Sequence, residues 1–304
     1  AEKLEEEAPA VVTEETPDHR DYRLLVPVAN PATVEQLMRT AIDLANERDG
    51  EIVVMTVVTV PQQTPLAEGR QFVDEERAVL DEAMAIGEEA GVPVSGAIRI
   101  GHDVSRAVLN TIEAESADAV LLGWRGRSQR RDVVFGSNVD EVITKAPCDV
   151  LVERIGPRPD GVDRILLPTA GGPHAELSAE VARAIARAND ATVSVVTVVE
   201  PDATARQRDA SRDRLERVAG LVGDGVAVET DLIDADDVVD AIVDRSADAD
   251  VTLVGATREG LFQQLLFGAI PEQVARRVDG TVIMAKRSRG LASRLRRWFR
   301  RRSS

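Results

Sequence analysis

Two stretches of this chain carry residue types that bind anions. Gly123-Trp124-Arg125-Gly126 is followed, after nine residues, by Gly136-Ser137. An apolar run, Ala119 to Leu122, precedes it, and a helical pattern, Val139 to Lys145, follows. Main-chain amides approach a phosphate closely where no Cβ intervenes. A helix start adds free N–H groups and the positive end of its dipole. A strand ending in glycine, a glycine-spaced loop and a serine at a helix start therefore predict an anion cradle. The layout recurs 132 residues on as Gly255-Ala256-Thr257-Arg258, nine residues, then Gly268-Ala269. This second copy keeps the outer glycines and loses the inner glycine and the serine, so it is not expected to bind ATP. Arg125, Arg127, Arg130 and Arg131 crowd the first loop. Their guanidinium groups suit a polyphosphate, and they equally suit a solvated basic loop on an acidic protein.

Other chemistries lack their residues. There is no G-x4-G-K-[ST] phosphate loop. The first strand–helix turn, Pro27 to Pro31, has no dinucleotide glycines, and no G-x-S-x-G elbow occurs. His102-Asp103 could form an acid–base pair, but Asp103 reads more simply as a helix cap. The histidines, His19, His102 and His174, fall in three different segments, which argues against a shared metal site. Cys148 is alone, so no disulfide framework exists, and it opens a strand-like run as a small apolar residue.

These residues must be positioned by a repeated set of elements. Tyr22 to Val28 reads as a buried strand, and Asp163 to Thr169 matches it 141 residues on, proline included. Each is followed by a helix start, Asn30-Pro31 and Gly172-Pro173, with proline at the first helical position. Val34, Leu37, Met38, Ala41, Ile42 and Ala45 recur at helical spacing, as do Leu177, Val181, Ala184, Ile185 and Ala188. The β-branched runs Ile52–Val58 and Thr192–Val199 suit strands covered on both faces. The order β-α-β-α-β-α-β-α-β, read twice, predicts an α/β protein of two fused, doubly wound, parallel five-stranded sheets. The expected divisions are a disordered acidic leader at 1–21, a first domain at 22–156, a linker at 157–162, a second domain at 163–286 and a basic amphipathic tail at 287–304.

Charge sets the setting. Acidic residues outnumber basic ones by 53 to 37, for a formal charge of −16, and only Lys3, Lys145 and Lys286 are lysines. Small apolar residues with dense acid suit concentrated salt, where self-repulsion is screened, so a halophilic cytoplasm is expected. No apolar stretch approaches a membrane span and no secretory signal opens the chain. After Asp279 no acidic residue occurs. Leu291, Leu295, Trp298 and Phe299 fall on one helical face among arginines. Such a helix predicts contact with the inner face of a membrane; gripping nucleic acid, or folding back on the acidic body, remain alternatives. The acidic body makes nucleic acid the less favoured partner.

The G-x2-G-x9-G-[ST] spacing after the fourth strand resembles the nucleotide-binding motif of universal stress proteins. With the strand order, the resemblance covers about residues 21 to 286, as two fused domains of the Rossmann-like, adenine nucleotide alpha hydrolase-like fold. It implies pairing of the two halves through their last strands, as an internal pseudo-dimer. It also implies an adenine nucleotide, ATP or AMP, in the first domain. Gly123 and Gly126 would line the ribose and α-phosphate, with Arg127 beside them. Gly136, Ser137 and Asn138 would bind the outer phosphates. Val57 and Val28 would border the nucleotide by their places at strand ends. The family usually has an aspartate just after the first strand, near ribose and metal. Here the positions read Val28-Ala29-Asn30 and Thr169-Ala170-Gly171, which removes the expected magnesium ligand. No residue is placed as a general base, so the expectation is regulatory binding and not catalysis. The alternatives are a cytosolic regulatory domain of a membrane transporter (amino acid permease or cation antiporter) and a weak ATPase. Association of two such chains into a homodimer stays open.

Overall fold

The computed structural model describes residues 12–14, 20–63, 65, 73–124, 137–156, 161–256, 267 and 269–288. The chain divides into two compact units. One comprises Ala1–Gly123, Val134–Asp149 and Ser288–Ser304; the other comprises Trp124–Val133 and Val150–Arg287.

In the first unit the chain runs β1 (Val12–Glu14), β2 (Arg23–Pro27), α1 (Pro31–Glu47), β3 (Glu51–Thr59), α2 (Val73–Glu89), β4 (Val94–Gly101), α3 (Val104–Ala114), β5 (Ala119–Trp124) and α4 (Ser137–Lys145). The strand order is β1-β4-β3-β2-β5. Strands β2 to β5 are mutually parallel, and β1 is antiparallel to β4. Leu24, Leu25, Val26 and Ile52 to Met55 are all buried, as unbroken apolar strands covered on both faces must be. Parallel crossovers are right-handed. Winding outward from β2 to β4 therefore puts α1 and α2 together on one face. The return to β5 puts α3 and α4 together on the other.

The leader expected to be structureless contains β1. Its register, Val12↔Ile98, Thr13↔Ala97 and Glu14↔Gly96, covers the outer edge of β4. The expectation rested on the leader's inability to bury apolar area. Strand addition needs only main-chain hydrogen bonds, which an open sheet edge supplies to any extended segment.

The second unit holds β6 (Asp149–Arg154) from Val150 onward, then β7 (Arg164–Pro168), α5 (Pro173–Asn189), β8 (Thr192–Val199), α6 (Ala205–Val222), β9 (Ala227–Asp234), α7 (Val238–Ser246), β10 (Val251–Gly255), α8 (Ala269–Arg277) and β11 (Thr281–Lys286). Its order is β6-β11-β10-β7-β8-β9, parallel except that β6 runs antiparallel to β11, with Val152 opposite Met284. The final strands of the two repeats, β6 and β11, are thus hydrogen-bonded to each other within this unit. Arg154 of β6 donates from Nη2 to the carbonyls of Val278 and Gly280, which closes the C-terminal end of α8. Burial of that guanidinium pulls its pKa below the ordinary arginine value, against the opposing pull of Asp279.

Both repeats start their first strand with the same device. Asp118 accepts from Arg23 N (3.1 Å) while its own N–H donates to Arg23 O (2.9 Å). Asp250, 132 residues on, accepts from Asp163 N (2.8 Å) and Arg164 N (2.9 Å) and donates to Arg164 O (3.0 Å). The carboxylate satisfies amides that precede the ladder and so sets where it begins. Among the described residues no helix is long and apolar enough to cross a membrane. Asp250→Ala strips an acceptor from two amides and should cost about 1–2 kcal/mol of stability in urea denaturation; an unchanged midpoint would show that water replaces the carboxylate without loss.

Candidate functional site

The sheet of the first unit reverses its winding between β2 and β5. Ligands of open α/β sheets sit beyond the strands' carboxyl ends at that reversal. Several of the residues singled out above converge there. The β2–β5 register pairs Leu24 with Ala119 and Leu25 with Val120. Carried three residues further, it sets Val28 level with Gly123. The β2–β3 register ends at Pro27↔Met55, and Val28 N donates to Met55 O (2.8 Å). The same alignment continued brings Val57 and Val58 level with Ala29 and Asn30. Val28 and Val58 are buried, while Val57 is half-buried. Asn138 is exposed on the first turn of α4, which begins at Ser137. Gly126, Arg127 and Gly136 lie outside the described residues.

Gly123 has a reason the spacing did not reveal. A Cβ there would stand 2.9 Å from Leu37 Cδ1, so the missing side chain lets α1 pack against the end of β5. Its φ is not positive, so the crowding by Leu37, and not backbone conformation, is what favours glycine here. Gly255, its counterpart, is tighter. A Cβ there would lie 2.9 Å from the carbonyl carbon of His174 and 3.1 Å from Ala175 N. In the second unit, then, the main chain of α5's first turn rests on the strand end, where in the first unit the nearest atoms are those of a leucine side chain. The β7–α5 turn is one residue longer than the β2–α1 turn, and Gly171 and Gly172 take φ of +80° and +90° to make it. His174 is also committed elsewhere. Its Nδ1 accepts from Arg287 N (2.9 Å), and the Arg287 guanidinium pairs with Glu180 (2.6 Å).

At the end of β2 the side chain of Asn30 is idle. Asn30 occupies the N-cap of α1 in extended conformation (φ −136°, ψ 112°) but makes no capping bond. Thr33 donates from both N and Oγ1 to the Asn30 carbonyl (3.0 Å each). Asn30 Nδ2 is buried without a hydrogen-bond partner among the described residues.

A polar cluster supports the site from below α4. Asp103 caps α3, its Oδ1 accepting from Arg106 N (2.9 Å), as expected. The fully buried Ser105 hydroxyl lies 2.6 Å from Asp103 Oδ1 and also bonds Glu141 Oε2 on α4. Lys145 donates to Glu141 Oε1 (2.5 Å). These bonds hold both carboxyls below their ordinary values: Ser105 and the Arg106 amide do so for Asp103, Lys145 and Ser105 for Glu141. The Ser105–Glu141 link, which fastens α4 to the start of α3, left no signal in sequence because its members are 36 residues apart. Among the described residues no cluster of three or more His, Cys, Asp or Glu could hold a metal.

Asp103→Ala removes the α3 cap and should cost about 1 kcal/mol near neutral pH. The folded-state pKa of Asp103 lies below its reference 3.8. The carboxylate therefore stabilises above that value, and the benefit disappears as pH falls through the folded pKa. The wild-type and variant stabilities should converge on acidification below about pH 4; a difference that persists at pH 2 would assign the loss to packing.

Residues 22–154 and 161–286 both match the Universal stress protein family. The chain is 23% identical over 270 residues to the Na(+)/H(+) antiporter NhaS5 of Synechocystis sp., a match that covers 88% of this chain and 39% of the antiporter. The chain thus spans about two fifths of that relative's length. Among solved structures, a universal stress protein from Archaeoglobus fulgidus superposes with a TM-score of 0.62 at 17% identity, covering 89% of this chain and 98% of that one. The cytoplasmic domain of a prokaryotic cation chloride cotransporter superposes with a TM-score of 0.57 at 14% identity, covering 90% and 99%.

Proposed function

The chain belongs to the universal stress protein family, and on that premise we propose that its first unit is a regulatory receptor for an adenine nucleotide, ATP or AMP, without turnover. The observation that carries this reading is the asymmetry of the two winding reversals. The atoms nearest to a Cβ at Gly123 belong to the Leu37 side chain, whereas at Gly255 they belong to the backbone of His174 and Ala175. The first copy also keeps both inner motif residues, Gly126 and Ser137, that the second has lost. On this reading Val28 and Val57 border the nucleotide. Gly123, Gly126 and Arg127 face its ribose and α-phosphate, and Gly136, Ser137 and Asn138 take the outer phosphates at the start of α4, where amides and dipole favour negative charge. The Ser105–Glu141 link would pass any ordering of α4 to α3.

A second reading concerns the setting. The match to an antiporter across 88% of this chain, and the likeness of its fold to a cotransporter's cytoplasmic domain, support a regulatory module of a membrane transporter, at the cytoplasmic face of the membrane. The arginine-rich segment from Arg287 to Arg302, with Trp298 and Phe299, would then meet an anionic lipid surface. Both readings hold together, with the nucleotide as the signal and transport as its output.

Calorimetric titration of the full chain with ATP and AMP tests the receptor. Binding is expected, and Gly126→Asp should abolish it by placing a carboxylate in the anion cradle. Ser137→Ala should weaken ATP roughly three- to tenfold more than adenosine, the size of one lost hydrogen bond. Heat that survives Gly126→Asp would remove the first unit from the account.

A further inference from the structure

We infer that the outer edge of β4 is a self-complementary docking edge for a second copy of this chain, and that β1 is the detachable guard that keeps it covered. The inference is independent of the nucleotide reading above.

The two repeats treat the same edge differently. In the first unit β3 sets Val54 beside Gly96 of β4. In the second, β8 sets Val195, the counterpart of Val54, beside Thr230 of β9. Gly96-Ala97-Ile98 and Thr230-Asp231-Leu232 are therefore equivalent stretches of the outermost parallel strands. The first is buried and carries no charge. In the second, Thr230 is exposed, and the half-buried Asp231 is paired with Arg245 of α7. Glu229 and Asp234, on the same strand, are exposed. Charges along an outer strand discourage pairing with another chain. β9 has that protection, and among the described residues no strand covers it. β4 lacks it over the stretch on which β1 lies.

An antiparallel pair of identical strands has a two-fold axis, and the residue on the axis meets its own copy. Ala97, the residue opposite Thr13, is the middle of the covered stretch. With Ala97 on the axis, Gly96 faces Ile98, Ser95 faces Arg99 and Val94 faces Ile100 of the second copy. Arg99 is the one charged residue of β4, so no like charges meet. The same construction on β9 about Asp231 sets two aspartates against each other, which is destabilising. One edge fits its own copy and the other rejects it.

The cover is light. β1 pairs with three of the eight residues of β4. Each hydrogen bond contributes about 0.5–1.5 kcal/mol net, and ordering the backbone of each residue costs about 1–2 kcal/mol. So short a strand is held near balance. A second β4 is already ordered within its own sheet and is eight residues long, so it carries no such penalty. β1 nonetheless has the advantage of attachment: eight residues separate it from β2, and a tethered strand rebinds before a second chain arrives.

The experiment is sedimentation velocity on the full chain across a concentration series, for wild type and for Val12→Pro with Thr13→Pro. Alternate amides of a strand face each neighbour, so one of the two prolines removes a β1–β4 bond whichever way the ladder is phased. Wild type should stay monomeric and the proline variant should form dimers. In the proline background, Ser95→Arg sets like charges opposite Arg99 twice in each dimer and should weaken association about fivefold; Ser95→Glu should tighten it. Ser95 is half-buried, and a thermal melt of each variant checks that the fold is kept; either substitution alone still reads the sign of the effect. A proline variant that stays monomeric overturns the inference. So does wild type that associates as strongly as the variant, or association indifferent to the charge at residue 95.

Discussion

A parallel sheet wound outward in both directions from its first strand must leave a gap where the winding reverses. The two crossovers that leave that point lie on opposite faces. Everything functional here depends on how that gap is filled. In the first unit α1 meets the end of β5 through Leu37, a side chain that can shift. In the second, a turn one residue longer sets the main chain of α5 onto Gly255. Backbone cannot retract without moving the helix. One added residue in a turn thus accompanies a change from side-chain to main-chain contact at the strand end on the same topology.

The start of α5 in the second copy makes a different contact. His174, in the first turn of α5, receives the amide of Arg287 just after β11, and Glu180 holds the guanidinium of the same residue. Ser288 is tied in turn by Asp149 Oδ1 to its amide and by the Pro147 carbonyl to its hydroxyl. The chain is therefore fixed by side chain and main chain where the arginine-rich segment begins. Of the two equivalent strand ends, the second has the start of its helix tied to the chain that follows β11.

Much of the architecture was legible in the sequence, because parallel strands announce themselves as unbroken apolar runs and helices as 3.6-residue stripes. The Pro27/Pro168 match and the Asn30-Pro31 and Gly172-Pro173 starts located the repeat. Asp103 was readable as a cap because capping is local. What escaped was long-range or main-chain in origin. β1 pairs through backbone and carries no apolar signature. A Cβ at 123 would crowd Leu37, which is 86 residues earlier, whereas the motif suggested only a ligand. Ser105 meets Glu141 across two helices, a contact between residues far apart in sequence. Gly126, Arg127 and Gly136 were named from spacing alone, and their roles rest on that spacing still.

The most direct measurement of the account is hydrogen exchange by mass spectrometry on the full chain with and without saturating AMP. The account predicts slower exchange in peptides spanning residues 28–37, 57–60 and 137–142, with residues 169–177 unchanged. Protection confined to 169–177, or no protection in the first unit under conditions where AMP is bound, would contradict it.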